Sequence, residues 1–360
     1  MMNRFTGIKS IIRVAVFAAS VISLVVNGVC SSPAALAAER ISPRLEVMAY
    51  CPIDYPGDSL AYASLKKNLR LVDTAALFQF TLDWSGRVLG SGDARFLDLA
   101  KGGGLKVVPV IHNFVGGRFD GEMVRPSLAT VEGRARASSA ITTLVLDKGY
   151  SGVDIDFEAL PPDLRDSLSL FVKNLAGRLH AHGRTLSIAV PAKTRDNPRD
   201  SWSGAYDYAA LAENADRLMI MAYDEHWAGG PSGPIASAGW VERVVDYAVT
   251  AAPRGKILLG VPQYSYDWPA AGGTAKYMPV SSALRLAGET GAKIVWDSTA
   301  QVPHFFYWRG SEKRHVFIEN SYSLAFKMEI ARSRGLAGVA IWRIGYEEPR
   351  TWEVIESYRK

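Results

Sequence analysis

Cysteine is nearly absent from this chain: there are 2 in 360 residues, Cys30 and Cys51. A disulfide framework is excluded, because Cys30 falls in a segment that reads as a removable leader and Cys51 is then alone, so stability must come from a packed core. An excess of charge of one sign is missing too. The 41 Lys and Arg face 36 Asp and Glu, and without the leader's Arg4, Lys9 and Arg13 the balance falls to 38 against 36. No basic run with interleaved aromatics occurs, so a nucleic-acid partner is not expected. Long hydrophobic runs are lacking as well. The longest, Val14–Val26, falls short of the roughly 20 residues a spanning helix requires.

That run follows three basic residues and precedes the small-residue stretch Ala34–Ala38, the layout of a secretory signal with its cleavage site. Residues 1–37 are therefore expected to be a signal peptide, and 38–360 an exported chain with no membrane span after cleavage. With 48% hydrophobic residues, about 320 remaining residues can build one large core, and a monomer is expected.

Short apolar, β-branched runs recur at Leu45–Tyr50, Ala76–Phe80, Lys106–His112, Gly152–Phe157, Thr185–Pro191, Arg217–Tyr223, Lys256–Pro262 and Gly338–Arg343. Most are continuously apolar, as strands covered on both faces should be, and amphipathic stretches lie between them. The clearest predicted helices are Asp163–Gly183, with Leu164, Leu168, Phe171, Val172, Leu175 and Leu179 at helical spacing, and Tyr322–Arg334. Eight strand–helix units without a glycine-rich phosphate loop after the first predict an α/β fold, a closed (β/α)8 TIM barrel rather than an open doubly wound sheet. The longest gap, between the seventh and eighth strands, predicts a small insertion over about residues 265–308.

The chemistry concentrates in Ser151-Gly152-Val153-Asp154-Ile155-Asp156-Phe157-Glu158. Strict alternation sends Val153, Ile155 and Phe157 to one face of the strand and three acids to the other, and in a barrel the acid face is the interior. Three carboxylates packed together cost several kcal/mol unless they share protons or serve chemistry. Catalytic groups sit at the C-terminal strand ends of such barrels, so Glu158 is the expected general acid. Asp156 should raise its pKa by like-charge repulsion, and Asp154, the deepest, should share a proton with Asp156.

These residues resemble glycoside hydrolase family 18, the chitinase family, whose motif D-G-x-D-x-D-x-E is matched in all but its first position, where Ser151 stands. Met221-Ala222-Tyr223-Asp224 and Trp342 match further landmarks of that family. Tyr223-Asp224-Glu225-His226-Trp227, Gly229-Gly230-Pro231, Tyr266-Asp267-Trp268, Trp308 and Trp342-Arg343 resemble its spore-germination, cortex-lytic N-acetylglucosaminidase branch. The resemblance implies a retaining hydrolysis in which the substrate's own 2-acetamido oxygen attacks the anomeric carbon. Glu158 would act as acid and base, Asp156 would accept the acetamido N–H, and Tyr223 would donate to the acetamido oxygen. Trp342 would floor the sugar, while Asp224 would hold a hydroxyl or support the acid. The substrate implied is a polysaccharide of N-acetylated amino sugars, peptidoglycan or chitin-like. The alternative, an inactive lectin-like barrel of the cell envelope, usually follows loss of the acid, and Glu158 is present.

Further candidates for substrate contact are Tyr50 at the end of the first strand, Gln79 near the end of the second and Asn113 after the third, together with Trp227 and Gln263 after the sixth and seventh. His226 beside Asp224 and Glu225 lacks the spacing of a metal site and reads as a structural histidine. No cofactor or metal is expected.

Overall fold

The computed structural model describes residues Arg44–Arg359; the expected signal peptide lies outside them. Eight parallel strands close on themselves: β1 (Glu46–Pro52), β2 (Thr74–Leu82), β3 (Lys106–His112), β4 (Gly152–Asp156), β5 (Thr185–Pro191), β6 (Arg217–Met221), β7 (Ile257–Pro262) and β8 (Gly338–Trp342). Each pairs with the next in chain order, and β1 pairs with both β2 and β8, which completes the barrel. The eight predicted runs correspond to these strands in order. Closure leaves no barrel strand with an unpaired edge.

The alternation of each strand divides the apolar residues into two cores. Outward residues such as Val153, Ile155, Ile188 and Ile220 pack against the helical ring, while Met48, Ala76, Val108, Val110, Ala189, Met219, Leu258 and Ala340 fill the inside. The predicted helix after β4 begins as a short 3-10 turn, Pro162–Leu164, and runs as an α-helix over Arg165–His180. Its buried stripe is Leu168, Phe171, Val172, Leu175 and Leu179, the spacing read from the sequence. The helix before β8 spans Ser321–Ser333 and starts at a capping box, in which the Asn320 side chain accepts from Tyr322 and Ser323 and Ser323 answers to the Asn320 amide.

Between β7 and β8 lies a five-stranded antiparallel sheet with one helix, Val280–Thr290. Its strands are Ser265–Pro269, Lys276–Met278, Val295–Asp297, Val302–Arg309 and Glu312–Ile318. The insertion thus runs on to Ile318, beyond the expected 308, because Val302–Arg309 and Glu312–Ile318 form a hairpin whose second strand pairs with Ser265–Pro269. That return pairing is non-local and leaves no short-range pattern in the sequence.

Candidate active site

Register carries the acids to the barrel mouth. Asp154 lies beside Val110 and Ser187, and Asp156 beside His112, so these side chains share the inner face. Asp154 is fully buried and spends its oxygens on the hydroxyls of Tyr50, 2.8 Å away, and Ser187. These two neutral donors add to the interaction with Asp156 expected from the sequence. Burial still pushes the Asp154 carboxyl up to about 6. Asp156 is buried, and its Oδ1 has no hydrogen-bond partner among the described residues. Burial, then repulsion from Asp154, pushes it up to about 8.

Glu158 is partly covered and opens into a cleft of about 1220 Å³. Its pKa is raised well above the ordinary value, first by burial and then by the charges of Asp156 and Asp224. The backbone at this point is clamped from two sides. Asn113 Oδ1 accepts from the Glu158 amide at 2.9 Å and Asn113 Nδ2 donates to the Glu158 carbonyl at 2.8 Å, while the Tyr206 hydroxyl donates to the Phe157 carbonyl at 2.6 Å. Ala159, the next residue, is left-handed at φ 54.

Opposite stand Tyr223 and Asp224, from the end of β6. Asp224 is held at φ 58, a conformation Asp tolerates better than most residues. It accepts hydrogen bonds from Tyr264 and, at 3.4 Å, from Tyr266. Burial nonetheless raises it to about 6. Room for Tyr223 comes from Gly260 on β7, where a Cβ would lie 3.0 Å from the tyrosine ring and 2.4 Å from the Ile220 carbonyl. The Trp342 indole closes the floor, buttressed edge-on by Tyr50 at 5.6 Å and Phe78 at 5.3 Å between ring centroids.

Eight of the eleven residues proposed from the sequence line this cleft: Glu158, Asp156, Tyr223, Asp224, Trp342, Tyr50, Gln79 and Trp227. Asp154 sits beneath it. Asn113 and Gln263 are corrections to the expected substrate contacts. Asn113 is fully buried on the Glu158 backbone. Gln263 is equally buried, its amide bound to the Pro262 carbonyl at 2.7 Å and the Thr351 hydroxyl at 2.6 Å. Both mark strand ends correctly, but their side chains turn into the wall. His226 Nδ1 lies 2.9 Å from the Pro234 carbonyl, a structural contact that ties down its loop.

The lining residues not proposed from the sequence include His112, Phe78, Trp202 and Tyr277. His112 was legible in principle, since Val108, Val110 and His112 alternate along β3 and share a face. Its ring stacks on Phe78 at 4.1 Å, and its Nδ1 accepts from the Phe114 amide, which places the proton on Nε2. Burial lowers its pKa to about 4 and keeps it neutral. Trp202 and Tyr277 stand on segments with no periodicity to betray them.

The family model for glycosyl hydrolases family 18 matches residues 100–347. The Bacillus subtilis glycosylase YvbX is 29% identical over 308 residues, covering 84% of this chain and 90% of that protein. Among solved structures, the Bacillus cereus spore cortex-lytic enzyme SleL superposes with a TM-score of 0.82 at 27% identity, covering 89% of this chain and 75% of that one. A chitinase from Chromobacterium violaceum gives 0.80 at 28% identity, covering 87% and 98%. With the acid ladder at the mouth of an eight-stranded barrel and a family match over most of the chain, the protein belongs to glycosyl hydrolases family 18 and is a glycosidase.

Proposed function

We propose that this protein is an exported, retaining hydrolase of β-linked N-acetylhexosamine polymers, acting on peptidoglycan glycan strands or chitin-like chains by substrate-assisted catalysis. The observation that carries the reading is a pair of carboxyls, Asp156 buried and Glu158 partly covered, with no cation paired to either among the described residues, facing Tyr223 and Trp342 across one cleft. The names of SleL and of the Chromobacterium chitinase support the substrate class.

In the first step Glu158 gives its proton to the glycosidic oxygen as the bond to the anomeric carbon breaks. The acetamido oxygen of the same sugar bonds to that carbon, giving an oxazolinium ion. Asp156, whose Oδ1 is unpaired, accepts the acetamido N–H and, in its ionised form, stabilises the cation; the Tyr223 hydroxyl orients the acetamido oxygen. In the second step the Glu158 carboxylate takes a proton from water, whose oxygen attacks from the vacated side, so configuration is retained. A proton donor must stay protonated near neutral pH, and burial with two acidic neighbours achieves this for Glu158.

The test is product analysis by mass spectrometry on purified peptidoglycan and chitin oligomers, with the first-formed anomer read by NMR. Release of β-configured reducing ends, and no cleavage of oligomers whose acetyl groups have been removed, is expected. Equal cleavage of the deacetylated chains would overturn the mechanism.

A further inference from the structure

The antiparallel insertion has two unlike faces. Phe305 and Tyr307 point inward and pack with Val280, Ala283 and Ala287 of its helix. Between them the strand turns His304, Phe306 and Trp308 to the other side, where Phe306 is 44% and Trp308 65% exposed. The neighbouring strand adds Phe317 opposite His304, His315 opposite Phe306 and Lys313 opposite Trp308. The array is ordered: Phe306 stacks on His315 at 3.9 Å, His304 on Phe317 at 5.2 Å, and Lys313 Nζ lies 4.6 Å from the Phe306 ring centre. His304 Nδ1 and His315 Nε2 are 3.0 Å apart.

The inner half of this face is buried and leads along the sheet to a residue of the cleft. Trp268 and Tyr266 pair with His315 and Phe317 on the next strand, and Tyr266 reaches Asp224. The loop between β6 and the following helix covers that inner half. It places Ser232 Oγ 3.4 Å from His315 and carries Trp227, 59% exposed, at the cleft rim. Gly229 in the same loop lies flat on the Trp227 indole, where a Cβ would come within 2.2 Å of the ring.

We infer that the exposed half of this sheet face, Phe306 and Trp308 with His304, His315 and Lys313, is a second binding surface for the glycan strand that enters the cleft past Trp227. The inference rests on the substrate class proposed above. The core of a protein interface is depleted of lysine, whereas Lys313 lies over the Phe306 ring. Here the rings alternate with hydrogen-bonding and cationic groups, which suits a ligand with apolar C–H faces and hydroxyl edges. Burial, reinforced by His304 and Lys313, holds His315 neutral down to about pH 4, so Lys313 supplies the charge of the platform.

The experiment uses the full chain in four forms: wild type, E158Q, F306A/W308A and E158Q/F306A/W308A. Sedimentation with insoluble peptidoglycan and chitin reads binding; turnover of a soluble N-acetylglucosamine trisaccharide reads the cleft alone. The expected result is roughly five- to tenfold weaker polymer binding in the forms carrying F306A/W308A, with trisaccharide turnover unchanged. Unchanged polymer binding overturns the inference, as does a parallel loss on the trisaccharide. So does a wild-type dimer, seen by light scattering, that F306A/W308A dissolves, since a second copy would then cover the face. Polymer binding that persists in E158Q and falls in the triple variant upholds the platform even where hydrolysis fails, so the two proposals fail separately.

Discussion

Among the described residues, two groups of acids with little exposure to solvent are treated in opposite ways. In the insertion, Asp267 is fully buried against Arg314 at 2.7 Å and also accepts from Tyr307. Near β8, Glu319 is buried with Lys327 at 2.8 Å and further accepts from Ser323 and the Ala236 amide. At the barrel mouth, Asp154, Asp156 and Glu158 are surrounded by tyrosines, a serine and one another. A buried carboxylate that only holds the fold together is neutralised by a cation, because leaving it unpaired costs several kcal/mol. One kept for proton transfer is left without a cation, so that burial and like charge raise its affinity for a proton.

The largest effect should come from breaking the second group at its reactive end. E158Q keeps the shape and both Asn113 bonds to the backbone, and should lower turnover by about 10²–10⁴-fold with the melting temperature preserved. Steady-state hydrolysis with calorimetry checks both halves. In the first group, K327M strands the Glu319 charge and should cost about 3–5 kcal/mol of stability, read by chemical denaturation, whereas D154N removes a buried charge and should be neutral or stabilising near pH 8. If both cost the same, the comparison is wrong.

The pH dependence sharpens the same point. A carboxyl raised in the fold favours the native state while protonated, so its stabilisation is complete below its unfolded pKa near 3.8 and is lost as pH rises through the folded value. Melting temperature should therefore fall as pH rises through about 6 and about 8, where Asp154 and Asp156 titrate. D156N should flatten the upper part of that fall. It should also move the alkaline limb of any residual activity to lower pH, because Asp156 no longer repels the ionised Glu158. A limb that stays in place in D156N would show that burial alone poises the acid.

Smaller effects test positioning. N113A removes both hydrogen bonds to the Glu158 backbone and should lower kcat roughly ten- to a hundredfold while leaving KM nearly unchanged. Q263A, equally buried but bonded away from the acids, should lower stability and spare kcat. Least costly is W227A, which removes an exposed rim ring and should raise KM for polymers a few-fold, about 1 kcal/mol.

Position along strands was legible in one dimension. Period-2 alternation put Asp156 and Glu158 at one end of a barrel strand, the family resemblance added Tyr223, Asp224 and Trp342, and the structure brings them into one cleft. Direction at a strand's end was not legible. Asn113, Gln263 and Gln79 are all polar residues at or near strand ends, yet one clamps the backbone, one joins the core and one lines the cleft. Past the last ladder bond the alternation no longer dictates where a side chain points, and at Gln79 a register shift between Phe78 and Phe80 breaks it within the strand.

By itself the sequence determined what depends on local period: eight buried strands, the helical stripes between them, and three acids on a common inner face. Tertiary structure alone decided what depends on partners far along the chain. Tyr50 and Ser187, 104 and 33 residues from Asp154, took up its oxygens, and the return strand Glu312–Ile318 enlarged the insertion and set Tyr266 against Asp224. A hydrogen bond between distant residues follows from closure of the barrel, and closure is a property of the whole chain that no short window of residues encodes.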